Sequence, residues 1–201
     1  MKYFHKMVGN KCYLSPVSLE DVEKYTEWIN DMETGLFVNF AAGVYHIEKE
    51  RLALENTIKE NSVFAIIDKD TNKAIGISGI HGKNNVDRTG TFGIFIGDKS
   101  YWSQGFGAEA TMLILDFAFN ILNLNNVNLD VVDFNKRGIK CYEKCGFKYA
   151  GIRRQAKFMA GIYHDVLTYD ILASEFESPY IKKLFSKTTE ASADANKITI
   201  V

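Results

Sequence analysis

Ten consecutive residues carry the clearest chemical signal in the chain: Tyr101-Trp102-Ser103-Gln104-Gly105-Phe106-Gly107-Ala108-Glu109-Ala110. They follow a strand-like run, Thr91-Phe92-Gly93-Ile94-Phe95-Ile96, and open a helix-like one that continues to Phe119. A glycine-containing turn at that junction aims several backbone N–H groups the same way. The first N–H groups of a helix lack internal partners, and the helix dipole adds partial positive charge there. Such a turn binds phosphate without lysine or arginine, and Gly105 and Gly107 let backbone approach an anion that a Cβ would hold off. Turns of this type also occur as plain chain reversals, so the run alone leaves that reading open. It lacks the Gly-Lys-Ser/Thr ending of a nucleoside-triphosphate loop. It also lacks the third glycine and leading position of a dinucleotide fingerprint.

A second cluster lies downstream. The strand-like Val127–Val132 is followed by Asp133-Phe134-Asn135-Lys136-Arg137-Gly138, then Tyr142-Glu143-Lys144-Cys145-Gly146-Phe147. With the Gln104–Ala108 turn, these residues stand in an order and spacing that resemble the GNAT superfamily of acyl-CoA-dependent N-acetyltransferases. The resemblance runs from about Lys11 to Phe176 and is nearest the branch of ribosomal-protein N-terminal and spermidine acetyltransferases. Gly161-Ile162-Tyr163-His164-Asp165-Val166 resembles that branch's final hairpin.

The resemblance implies acetyl-CoA as donor. Its pantetheine arm would meet backbone groups of Phe95 and Ile96. Its pyrophosphate would rest on the N–H groups of Ser103, Gln104, Gly105, Phe106, Gly107 and Ala108. Trp102 begins this loop where family members usually carry arginine or glutamine. Asn135 would contact the cofactor arm; asparagine is also a good helix N-cap, and both roles can coexist. Tyr142 has the position of a general acid for the departing thiolate. A phenol titrates near about 10 and a thiol near about 8.5, so hydrogen bonding to the thiolate outweighs outright proton transfer. The family's frequent glutamate on the preceding strand is here Thr91, which leaves Glu33, Asp130, Asp133 and His164 as alternative bases. A backbone N–H near Ile96 would stabilise the oxyanion.

The implied acceptor side is built by Asp31–Tyr45 and the hairpin around Ala160–His164, with Glu33, Phe37 and Asp130 as candidate substrate contacts. Trp28 and Phe40 suit a pocket wall or the core. The expected activity is N-acetylation of a primary amine on a polyamine, amino acid, amino sugar or protein N-terminus. The alternative is a non-catalytic acyl-CoA-binding sensor or scaffold.

Positioning these groups requires a specific set of elements. A strand over Cys12–Val17 precedes a helix over Ser18–Asn30, with Ser18 as N-cap, Asp21 completing a weak capping box, and Leu19, Val22, Tyr25 and Ile29 as its apolar stripe. Asp31–Tyr45 reads as loop and His46–Lys59 as a second helix. A hairpin over Ser62–Asp68 and Lys73–Ile80 turns at Asp70-Thr71-Asn72. Strand Arg88–Gly97 leads to the phosphate turn. Helix Gly105–Leu122, strand Val127–Val132, helix Asn135–Lys144 and strands Phe147–Lys157 and Ile162–Leu172 complete the order. This is an α/β (α+β) pattern: a mixed, mostly antiparallel sheet of six or seven strands with helices on both faces. Residues 1–176 read as the acetyltransferase domain. Residues 177–201 read as a C-terminal extension in which Lys197–Val201 can join a sheet edge.

Bulk properties bound the rest. The 201 residues are 46% hydrophobic with a net charge of −1, which favours a globular domain and argues against nucleic-acid binding. No apolar run approaches the roughly 18 residues of a membrane span, and Met1–Lys6 lacks a secretion signal's apolar centre. The three cysteines read as reduced, with Cys141 and Cys145 on one helix face, so a cytoplasmic protein is expected. The four histidines have no metal-binding spacing, so no metal is expected. Acetyl-CoA and an amine are the expected partners, and a homodimer is compatible.

Overall fold

The computed structural model describes residues 2–38 and 41–188. Its strands are β1 (Met7–Val8), β2 (Cys12–Pro16), β3 (Val63–Asp68), β4 (Ala74–Asn84), β5 (Thr89–Ile96), β6 (Asn126–Val132), β7 (Lys148–Met159) and β8 (Ile162–Leu172). The helices are α1 (Val22–Asn30), α2 (Met32–Gly35), α3 (Ile47–Glu60), α4 (Phe106–Asn120) and α5 (Lys136–Lys144), with a further helical segment over residues 181–188. The strands form one sheet in the order β1-β2-β3-β4-β5-β6-β8-β7. Every neighbouring pair is antiparallel except β5 and β6.

This is the expected mixed sheet, with eight strands in place of six or seven. The extra strand, β1, pairs only Met7 with Leu14 and Val8 with Tyr13, too short a run to leave a period in sequence. Two helical details also differ. Ser18 accepts from Glu20 N and caps a single 3-10 turn, Leu19–Asp21, ahead of α1. Asp21 completes no capping box: it is buried and takes Lys2 Nζ at 2.7 Å and the Tyr3 hydroxyl at 3.0 Å. The Asp31–Tyr45 segment, expected as loop, contains α2, capped by Asp31 accepting from Thr34 N at 3.1 Å.

Helices cover both faces. On one, α4 buries Ala110, Leu113, Ile114, Leu115, Phe117 and Ala118, so it is apolar almost all round. The sheet takes one side of it, and Tyr180 and Ile181 pack against the same core. On the other face α1 and α3 join Val22, Tyr25, Trp28 and Leu54 over Ile77 and Phe95. Alternation along β5 follows: Ile94 and Ile96 face the α4 core, Phe95 the α1–α3 side.

One topological feature positions the site. β5 pairs with β6 only at Thr89–Asn126, Gly90–Val127 and Thr91–Asn128. Beyond that, β5 stays with β4 as far as Ile96, and β6 stays with β8 as far as Val132. The two parallel strands therefore part, and a V-shaped opening splits the sheet.

Candidate active site

The glycine turn sits at the mouth of this opening. Ser103 and Gly105 have left-handed φ values of 60° and 90°, so the chain folds tightly before α4 begins at Phe106. Gly105 is the N-cap and supplies no side-chain cap, which leaves the first N–H groups of α4 open to a ligand. The turn's carboxylate faces elsewhere. Glu109 accepts from the N–H groups of Asn10 (2.7 Å), Lys11 (2.7 Å) and Cys12 (2.9 Å), locking the first turn of α4 to the β1–β2 connection. Burial alone would raise its pKa, but these N–H bonds together hold it below the ordinary carboxylate value.

A cleft of about 290 Å³ opens over the turn. Trp102, Ser103, Gly105, Gly107 and Ala108 form one side, Ile94, Phe95 and Ile96 a second, and α5 the third through Asn135, Cys141 and Tyr142. Gln104 and Phe106 do not line it: Gln104 Nε2 donates to Ser100 O, and the Phe106 ring is core, edge-on to Tyr101. A Cβ on Gly107 would come no closer than 3.9 Å to its neighbours, so glycine there keeps the cleft open rather than relieving a clash. Asn135 is the N-cap of α5, its Oδ1 accepting from Gly138 N at 2.9 Å, and it borders the cleft as well.

Trp102 acts through two contacts. Its indole N–H donates to Ile96 O at 2.8 Å, so that carbonyl already has one partner. Its ring carries the guanidinium of Arg137, 3.6 Å from the ring centroid, with Phe37 completing the stack at 5.1 Å. Burial lowers the Arg137 pKa, yet a guanidinium remains charged across the ordinary range. Sequence reasoning assigned no role to Arg137. The signal was its place in the first turn after Asn135, with Lys140 and Lys144 following at i+3 and i+7 to line the same cleft.

A second cavity, about 780 Å³, lies on the α1–α3 side and shares Phe37, Val38, Ile94, Phe95 and Tyr142 with the first. Tyr142 thus stands between the two. Its ring packs edge-on to Phe92 and Phe147, at 6.2 and 6.0 Å. Among the described residues its hydroxyl has no hydrogen-bond partner, and burial pushes the phenol pKa up, keeping it a protonated donor.

The other candidates separate. Phe37 lines both cavities; Phe40 lies outside the described residues. Asp130 lines the larger cavity, held by Arg153 Nη2 at 2.5 Å and the Thr168 hydroxyl at 2.8 Å. Thr91 lines it too, donating to Asn128 Oδ1. Glu33 lines neither; with Asp31 it binds Lys99 Nζ, at 2.9 and 2.8 Å. Asp133 pairs with His164 Nδ1 at 3.1 Å and also lines neither. Trp28 is core, against Tyr25 and Phe95. Among the described residues no three His, Cys, Asp or Glu side chains cluster to hold a metal, and no helix is long and apolar enough to cross a membrane.

The sequence and the fold both have counterparts in known proteins. The acetyltransferase (GNAT) domain family matches residues 11–148, and the chain belongs to that family. It is 32% identical over 125 residues to the SPbeta prophage-derived N-acetyltransferase YokL of Bacillus subtilis, covering 61% of this chain and 68% of that protein. It is 31% identical over 120 residues to the spermidine N(1)-acetyltransferase of Vibrio cholerae, covering 59% and 69%. A crystal structure of spermidine N-acetyltransferase from Vibrio cholerae in complex with CoA and spermine superposes with a TM-score of 0.74. That match has 24% identity and covers 83% of this chain and 98% of that one.

Proposed function

We propose that the protein is an N-acetyltransferase that moves the acetyl group of acetyl-CoA to a primary amine by direct attack on the thioester. The observation that carries this reading is the Tyr142 hydroxyl, without a partner among the described residues, on the wall shared by the two cavities. The smaller cleft takes the donor and the larger cavity the acceptor.

The residues divide the work as follows. The N–H groups at the start of α4 and the Arg137 guanidinium hold the pyrophosphate, with Trp102 fixing the guanidinium in place. Phe95, Ile96 and Asn135 border the pantetheine arm. The donor supplies an activated acyl thioester; Tyr142 supplies a hydrogen bond to the sulfur as it takes up negative charge. Its raised pKa favours that donation over complete proton transfer. Phe37 and Asp130 border the acceptor, while Glu33, paired with Lys99, stays outside the cavity wall. We place the catalytic unit in residues 1–176 and the protein in the cytoplasm, in keeping with three free cysteines.

CoA release from acetyl-CoA, measured with polyamines, amino acids, amino sugars and N-terminal peptides, tests the reading. Turnover with at least one amine class is expected. The competing reading, a non-catalytic acyl-CoA-binding module, draws on one observation: Glu33, Asp130, Asp133 and His164 all have protein partners. Tight acetyl-CoA binding without turnover on any amine would select it.

A further inference from the structure

Among the described residues the buried acids are satisfied, with one exception. Asp21 takes Lys2 and Tyr3, Asp68 takes Thr71 and Tyr101, and Asp116 takes four donors. Glu50, in the middle of α3, is only 6% exposed. Among the described residues its carboxylate makes no hydrogen bond or ion pair, and burial raises its pKa unopposed. Tyr25, on α1, repeats the pattern. Its hydroxyl is the one buried side-chain polar atom without a partner among the described residues. Both residues line the 780 Å³ cavity. A buried phenol left unpaired is costly, and a carboxylate without a partner among the described residues on the wall of the same cavity leaves its charge for a ligand to satisfy.

The surroundings define what would satisfy them. Ile29, Leu54, Val63, Ile77 and Phe95 give this cavity apolar walls. Its other charged groups are engaged: His81 Nδ1 with Glu60 at 2.8 Å, Arg153 with Asp130, and Lys157 with a partner of its own, as Tyr45 also has; the Tyr142 hydroxyl, on the wall shared with the smaller cleft, is uncharged and open. Glu50 is the acid left for a ligand. We infer that Glu50, with Tyr25 beside it, receives a positively charged ammonium group of the acceptor, so that the cavity selects aliphatic amines with an apolar body. This rests on reading the larger cavity as the acceptor site. It also supplies, from a helix above the sheet, the acidic group that strand β5 lacks at Thr91.

The test compares n-hexylamine with n-hexanol, which share an apolar body and differ in charge at neutral pH. Calorimetry on the full chain should show the amine binding at least tenfold more tightly. Glu50→Gln should abolish that preference and raise the melting temperature slightly, since a partly desolvated charge without a partner among the described residues is removed. Glu50→Met, close in volume, should also abolish it. Tyr25→Phe should reduce it by a smaller factor. An unchanged preference in either Glu50 variant, or none in the wild type, overturns the inference. The readout needs no turnover. If no amine is acetylated yet the preference depends on Glu50, the acetyltransferase reading fails alone. If acetylation proceeds and Glu50→Gln leaves the amine KM unchanged, the Glu50 inference fails alone.

Discussion

Tyr142 shows how a residue's neighbours set its chemistry. A phenol in water titrates about 1.5 units above a thiol; burial raises this phenol further, which suits it to the proposed donation of a hydrogen bond to a thiolate. Tyr142→Phe keeps the ring packing on Phe92 and Phe147 and removes the donor. The kcat should fall by about tenfold to a thousandfold, with acetyl-CoA affinity within about twofold of wild type by calorimetry; wild-type kcat would confine Tyr142 to packing. The places of Tyr142, Asn135 and the glycines at the cleft were legible because they follow from position within a turn or a helix. Arg137 and Glu50 were not. The first is held by Trp102 and Phe37, more than thirty residues away in sequence, and the second is marked by what fails to surround it.

At the scale of elements, the turn before α4 couples the proposed phosphate contact to anchoring. Gly107 lies in the first turn of α4, where a methyl group meets only ordinary contacts. Gly107→Ala should stabilise the helix by up to about 1 kcal/mol while lowering acetyl-CoA affinity on the order of tenfold. Thermal melting and calorimetry read the two effects separately, and unchanged affinity would move the anion elsewhere. Glu109 anchors the same turn. Glu109→Gln places an amide against three N–H donors and should cost roughly 1–3 kcal/mol at neutral pH. Because its pKa is lowered on folding, the wild-type advantage is complete above the ordinary carboxylate range and disappears as pH falls through the folded value. Urea midpoints of both proteins between pH 7 and about pH 3 check this. Most element boundaries were legible to within a residue or two, and β8 to the residue, since period and turn chemistry are local signals. The two-residue β1 and four-residue α2 are fixed by their partners.

For the whole molecule, the parting of β5 and β6 makes two cavities from one sheet, and Tyr142 is shared because α5 crosses the gap. Alternating strands and helices in the sequence implied both faces covered, but not where the strands would separate. Asp116 ties the opposite side together. Fully buried on α4, it accepts from Asn120 Nδ2 (2.8 Å), Ser178 Oγ (2.7 Å), Tyr180 N (2.8 Å) and Ile181 N (3.0 Å). Asp116→Asn sets an amide against backbone donors and should destabilise the fold on the order of 3 kcal/mol. Acetyl-CoA affinity should stay within about twofold, since Asp116 borders neither cavity. A urea midpoint equal to wild type would show the segment docking without this carboxylate.

That tie also imposes a timetable on synthesis. Asp116 leaves the ribosome 62 to 65 residues ahead of Ser178, Tyr180 and Ile181. At roughly 5–20 residues per second, α4 waits several seconds with a carboxylate on an otherwise apolar surface and no partner for it. The helix that borders the smaller cleft therefore reaches its final packing only after the last sheet strand has been made. Nascent chains stalled before residue 178 should expose that surface to chaperones, and those that display residue 181 outside the tunnel should hide it.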